Sequence, residues 1–96
     1  MHGEYKMPGG KLIVVDLELV DGHLAQVRVS GDFFLEPDHA LHAIDAALEG
    51  QSADADEHVL ASAVRARLAP GVMMYGISPE AIAVAVRRAI DPDTAP

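Results

Sequence analysis

The segment from Gly9 to Phe34 has the strongest pattern in this sequence, GGKLIVVDLELVDGHLAQVRVSGDFF. Ile13, Val15, Leu17 and Leu19 recur at every second position within residues 11–19, with Asp16 and Glu18 on the opposite face, which is the period of two expected for a strand with one buried face. Residues 23–30 predict a second strand. Asp21-Gly22 between them is a strong hairpin signal. The segment therefore predicts two antiparallel strands joined by a tight turn.

The register of this hairpin depends on the length of its turn. A two-residue turn at Asp21-Gly22 opposes Leu17 to Gln26, which mixes apolar and polar residues on one face. A three-residue loop at 20–22 opposes Leu17 to Ala25, and it places its glycine where a left-handed residue is needed. Because a slip of one residue moves every side chain to the other face of a strand, we predict the three-residue loop.

The remaining sequence predicts a short first strand and, after the hairpin, three helices. Pro37 suits the first position of one helix, Asp54 with Glu57 resembles a capping box for the next, and residues 78–80 begin the last with serine, proline and glutamate. Strands first and helices after predict an α+β fold, in which a small three-stranded antiparallel sheet is followed by three helices packed on one face.

Length, cysteine content and charge limit the classes of function. The 96 residues predict one domain over residues 1–90, with a flexible tail at 91–96. The absence of cysteine excludes disulfides, thiolate metal sites and thiol catalysis. A net charge of −8 opposes contact with a phosphate backbone, so we predict no nucleic-acid partner. No signal peptide or long apolar run is present, which predicts a cytoplasmic protein without a membrane partner.

The basic turn near the start of the chain is the first candidate site. In Gly9-Gly10-Lys11, backbone N–H groups and a lysine follow one another as in an anion-binding loop, and Lys6 adds a second positive charge. The alternative is an ordinary turn, because the segment precedes a strand rather than a helix. His39 and His42 have helical spacing but lack a third ligand, so we predict no metal site and no catalytic residue in this chain.

Two adjacent aromatic residues are the second candidate site. Neighbouring side chains of an extended segment point to opposite faces. We therefore predict that one of Phe33 and Phe34 enters the core and that the other contacts a partner. Asp32, in the turn before them, belongs to the same predicted interface.

The sequence resembles the C-terminal accessory domain of lipoate–protein ligases from His2 to about Ile90. The resemblance is most specific at Gly9-Gly10-Lys11, Asp21-Gly22, Ser30-Gly31-Asp32-Phe33-Phe34 and Gly76-Ile77-Ser78-Pro79-Glu80. It implies a fold shared with iron–sulfur cluster scaffold proteins (SufE/NifU-like). Those scaffolds carry a cysteine where this chain has its two phenylalanines, which argues against cluster assembly.

The resemblance also implies a function. Lipoate–protein ligases use ATP to convert lipoate to lipoyl-adenylate and then transfer the lipoyl group to a lysine of an acyl-carrier domain. The small domain is needed for activation, and in some organisms it is a separate subunit. The resemblance thus implies a non-catalytic accessory subunit, inactive alone and without its own cofactor, whose partner is the catalytic subunit that holds ATP, Mg²⁺ and lipoate. The alternative is a free-standing protein-binding or regulatory module of the same fold.

Within that resemblance, the two candidate sites take distinct roles. The basic turn would contact the phosphates or the adenylate, and the aromatic segment would contact the catalytic subunit. The residues implied are Lys6, Gly9, Gly10 and Lys11 for the phosphate contact, and Asp32, Phe33 and Phe34 for the interface.

Overall fold

A computed structural model describes residues 1–91, so all but the first residue of the predicted tail at 91–96 lies outside the described residues. The chain forms a three-stranded sheet, a separate two-stranded ribbon and three helices. In chain order the elements are β1 (His2–Lys6), β2 (Leu12–Val20), β3 (His23–Gly31), β4 (Phe34–Glu36), α1 (Ala40–Leu48), α2 (Glu57–Arg67), β5 (Met73–Tyr75) and α3 (Pro79–Ile90).

The three-stranded sheet is antiparallel, in the order β1-β2-β3. Ile13, Val15 and Leu17 of β2 are buried, and the residues between them are more exposed, as the period of two predicts. Helix α3 packs on β1 and β2, α1 packs on β3, and α2 contacts both other helices. The predicted α+β fold, with its three-stranded sheet and three helices, is confirmed.

The turn of the hairpin has two residues, so the predicted three-residue loop is wrong. Leu19 pairs with Leu24 and Val20 pairs with His23, which leaves only Asp21 and Gly22 between the strands. Both turn residues have positive φ, 53° and 78°. Positive φ at both central residues is typical of a type I′ turn, which Asp-Gly favours. The twist of this turn matches the twist of the two paired strands.

With a two-residue turn alone, apolar and polar residues would share one face of the sheet. A bulge in β3 restores a wholly apolar face beyond it. Asp16 pairs with Arg28 but Glu18 pairs with Ala25, so β3 has one more residue than β2 in this interval. Gln26, with φ of 52°, lies at this irregularity. Beyond it Val15 pairs with Val29, and both are buried. The extra residue that the apolar pattern requires is therefore in the strand, not in the loop.

Two of the predicted helix starts are shifted. Helix α1 begins at Ala40 rather than Pro37, because residues 37–39 form a turn in which the Pro37 carbonyl accepts from the Ala40 N–H at 3.0 Å. Helix α2 is capped by Asp56 rather than Asp54; the Asp56 carboxylate accepts from the Val59 N–H at 2.9 Å. The predicted start of α3 is confirmed, since Ser78 accepts from the Ala81 N–H at 3.1 Å.

Helix α3 lies directly on β1, where Gly3 permits the close approach. A Cβ atom on Gly3 would lie 2.4 Å from the Ala85 carbonyl oxygen and 2.4 Å from the Ala89 nitrogen. Arg88 of the same helix stacks on the Tyr5 ring at 4.9 Å and donates to the Glu4 carbonyl at 3.1 Å. The backbones of helix and strand are therefore in direct contact at Gly3.

The outer edge of β3 is covered by two carboxylates, that of Asp45 in α1 and that of Glu49, the residue that ends the helix. The Val29 N–H donates to Asp45 Oδ1 at 3.0 Å, and the Val27 N–H donates to Glu49 Oε1 at 2.5 Å. Asp45 and Glu49 thus accept from two N–H groups of the same strand. Burial raises the pKa of the Asp45 carboxyl above its usual value, although the hydrogen bond from Val29 acts in the opposite direction.

Replacing Asp45 by alanine is expected to lower the free energy of unfolding by about 1 kcal/mol, because the Val29 N–H loses its acceptor. Asp45→Asn keeps an acceptor oxygen without a partly buried charge, so it should be at least as stable as the wild type at pH 7. The folded pKa of Asp45 is raised, so its contribution to stability falls as the pH rises through the interval between the unfolded and folded pKa values, and is constant above it.

Urea unfolding at pH 4 and pH 7 checks both points. Relative to the wild type, Asp45→Asn should gain more at pH 7 than at pH 4. If the asparagine variant lost as much stability as the alanine variant at pH 7, the acceptor role of Asp45 would be refuted.

Candidate functional site

The structure brings both predicted sites to one end of the three-stranded sheet. Lys6 ends β1 and pairs with Leu12, which begins β2. The Asp32 N–H, just after β3, donates to the Leu12 carbonyl at 3.2 Å. The Lys11 N–H donates to the Gly76 carbonyl, just after β5, at 3.4 Å. Residues predicted separately as a phosphate contact and as an interface are therefore neighbours in space.

A two-stranded antiparallel ribbon lies beside this end of the sheet. Phe34 of β4 pairs with Tyr75 of β5, and Glu36 pairs with Met73. Their side chains form what we call the ribbon face, and the alternate residue Leu35 points to the other side and is buried. The segment at 34–36 is thus a strand that pairs with a segment far along the chain.

Apart from Glu36, the side chains of the ribbon face are apolar, and they are exposed. The exposed fractions are 72% for Phe34, 50% for Met73 and 46% for Tyr75. Phe33 is partly buried and packs against the core. The prediction that one phenylalanine packs inward while its neighbour stays exposed is confirmed; the interface role of Asp32, Phe33 and Phe34 stays a prediction.

The basic turn uses its own backbone donors internally. The Gly10 N–H donates to the Met7 carbonyl at 2.9 Å, in addition to the contact from Lys11 to Gly76. The donors left for an anion are then chiefly the ammonium groups of Lys6 and Lys11, which we call the lysine pair. Both lysines are exposed, and neither has an ion-pair partner within residues 1–91. The phosphate contact stays a prediction.

The stem of Lys11 lies against the backbone next to the ribbon face. A Cβ atom on Gly76 would be 2.5 Å from Lys11 Cγ, and Gly76 has φ of 76°. Glycine is therefore required there for space as well as for conformation. Because Gly76 directly follows Tyr75, Lys11 lies beside the Tyr75 end of the ribbon.

A separate cluster of titratable groups surrounds His2. Its Nδ1 is 2.7 Å from Asp16 Oδ1 and its Nε2 is 2.6 Å from Glu4 Oε2. These hydrogen bonds, first that of Glu4 and then that of Asp16, raise the pKa of the exposed His2 imidazole. Across the described residues, no group of three or more His, Cys, Asp or Glu side chains is placed to hold a metal ion.

Sequence reasoning missed Met73 and Tyr75 as parts of the site. Met73 and Tyr75 are two apart in a short strand, so their side chains share a face. That spacing links the two side chains, but it does not identify Phe34 as the residue opposite Tyr75.

Within residues 1–91, no helix has the length and apolar character needed to cross a bilayer.

One solved structure is similar to this chain in both fold and sequence. It is a chain from the structural analysis of an archaeal lipoylation system, a bipartite lipoate protein ligase and its E2 lipoyl domain from Thermoplasma acidophilum. The TM-score is 0.63 and the identity is 27%, over 91% of this chain and 98% of the other. No protein-family model and no curated protein matches the chain. The similarity therefore extends over nearly the whole of both chains.

Proposed function

We propose that this chain is the accessory subunit of a two-part lipoate–protein ligase. In this role it would bind the catalytic subunit, and the two together would activate lipoate with ATP to lipoyl-adenylate. The observation that carries the proposal is the match to a chain of an archaeal bipartite ligase system, which covers 98% of that chain. A match of that extent is what two domains of the same kind produce, whereas a shared fragment of a larger enzyme would leave most of the other chain uncovered.

The lysine pair gives this chain a role in the activation step. In adenylation, a carboxylate oxygen of lipoate bonds to the α-phosphorus of ATP, and the bond from that phosphorus to the bridging oxygen breaks. Pyrophosphate leaves with the electron pair. ATP, Mg²⁺ and lipoate would be held by the catalytic subunit. Lys6 and Lys11 of this chain would stabilise negative charge on the phosphates, and the docked domain would exclude water from the site.

Reconstitution tests the proposed function. ATP–pyrophosphate exchange dependent on lipoate is measured with the catalytic subunit encoded by the same organism, with and without this chain. We expect this chain to raise the exchange rate at least about tenfold, since it completes the site. Transfer from chemically prepared lipoyl-adenylate to the acyl-carrier domain serves as the control and should change much less.

Equal exchange rates with and without the chain would contradict the proposal. That result would favour the alternative, a protein-binding module with another partner, because the exposed ribbon face suits contact with proteins of other functions as well.

A further inference from the structure

We propose that the ribbon face is the surface by which this chain docks on the catalytic subunit, beside the ATP site of that subunit. The inference rests on the proposed function and assigns its interface. Phe34 and Tyr75 would anchor the contact with the catalytic subunit. The lysine pair would have a different role, stabilising charge on the phosphates.

The first argument is the concentration of exposed apolar surface on the ribbon. Among the described residues, three of the six exposed large apolar side chains belong to the ribbon face. The other three, Met1, Val20 and Val59, lie on separate parts of the chain and are exposed singly. Isolated apolar residues are ordinary on a protein surface, but a contiguous group that includes two aromatic residues marks a contact site.

The second argument is the size of the patch. At about 150–250 Å² for a whole aromatic side chain, the exposed parts of Phe34, Met73 and Tyr75 amount to on the order of 300 Å². Two copies face to face would bury roughly 600 Å², about half of what a stable interface needs. A net charge of −8 on each copy also opposes self-association. The occupant is therefore a different protein whose contact surface extends beyond the ribbon face.

The third argument is the direction in which the surface continues. At one end of the ribbon, Tyr75 adjoins Gly76, which contacts Lys11 of the lysine pair; at the other end, Met73 pairs with Glu36. The surface is thus positive at one end and negative at the other. Phosphates bound by a partner would lie at the lysine end, so the partner surface around its ATP site would cover the aromatic residues next to them.

Isothermal titration calorimetry with the catalytic subunit tests the assignment, using the full chain. Phe34→Asp should raise the dissociation constant at least about tenfold, because a charge would replace an aromatic anchor at the centre of the contact. Val20→Asp is the matched control. Val20 is 57% exposed and ends β2 on the side away from Lys11, roughly 27 Å from the first residue of β2 at about 3.4 Å per strand residue. It should bind like the wild type.

A second measurement does not depend on any variant being folded. Hydrogen exchange of the wild-type chain should slow at the amides of β4 and β5 when the catalytic subunit is added, while those near Val20 should not change. The docking surface would be overturned if the wild type bound without this protection, or if a folded Phe34→Asp variant bound with unchanged affinity. Either result would leave the proposed function intact.

Two other outcomes would also overturn the inference. A wild-type chain that fails to bind the catalytic subunit would refute the proposed function itself. Self-association of the wild type in analytical ultracentrifugation, abolished by Phe34→Asp, would assign the ribbon face to a second copy of this chain.

Discussion

Replacing Lys6 and Lys11 together by glutamine is expected to lower ATP–pyrophosphate exchange of the reconstituted ligase about 100-fold, the effect typical of losing a group that stabilises transition-state charge. Binding to the catalytic subunit should change little. The reason is that both ammonium groups are exposed and unpaired within the described residues, so no contact of the fold is lost. The measurement is the exchange rate at saturating concentration of this chain.

Saturation separates this variant from Phe34→Asp. A docking variant should recover exchange when its concentration exceeds its raised dissociation constant, whereas the lysine variant should stay slow at any concentration. Substitution of both lysines by arginine keeps the charge and should restore part of the rate. Arg67→Gln is a suitable control, because Arg67 is an exposed cation in the last turn of α2. If the lysine variant exchanged at the wild-type rate, the phosphate contact would be refuted while the docking surface would stand.

The largest effect on stability is expected from Gly3→Val. Its side chain would have to occupy space taken by the backbone of α3, where even a Cβ atom would be 2.4 Å from the Ala85 carbonyl oxygen. Backbone atoms cannot move aside as a flexible side chain can, so α3 must separate from β1. We expect a loss of about 3 kcal/mol or more, at the upper end of the cost of overpacking. For a domain of this size, such a loss is a large part of the total stability.

Thermal and urea unfolding followed by circular dichroism measure this loss. Glu4→Val is the matched control, since it places the same side chain one residue further along β1, on the exposed face. It should shift stability by no more than about 0.5 kcal/mol, because the contact it removes, between Glu4 and His2, is exposed and contributes little. An unchanged unfolding midpoint for Gly3→Val would mean that α3 does not rest on β1 as described.

The features that the sequence determined by itself are those that depend on neighbouring residues. The alternation of Ile13, Val15 and Leu17 specifies a strand with one buried face, whatever lies above that face. Asp21-Gly22 specifies a turn because both residues tolerate positive φ. Ser78 followed by Pro79 begins a helix because the hydroxyl accepts an N–H only three residues away. Strand, turn and helix start are therefore all readable locally.

Other features were decided by contacts between distant segments. The turn length was predicted wrongly because the apolar pattern requires one extra residue but does not say whether it lies in the loop or, as found, at Gln26 in the strand. Gly3 is an ordinary strand residue until α3 packs on it. The ribbon face exists only because Phe34 pairs with Tyr75, far along the chain. Periodicity reports which face of a segment is buried, but which segments meet depends on how the whole core packs, and that pairing places the aromatic residues beside the lysines.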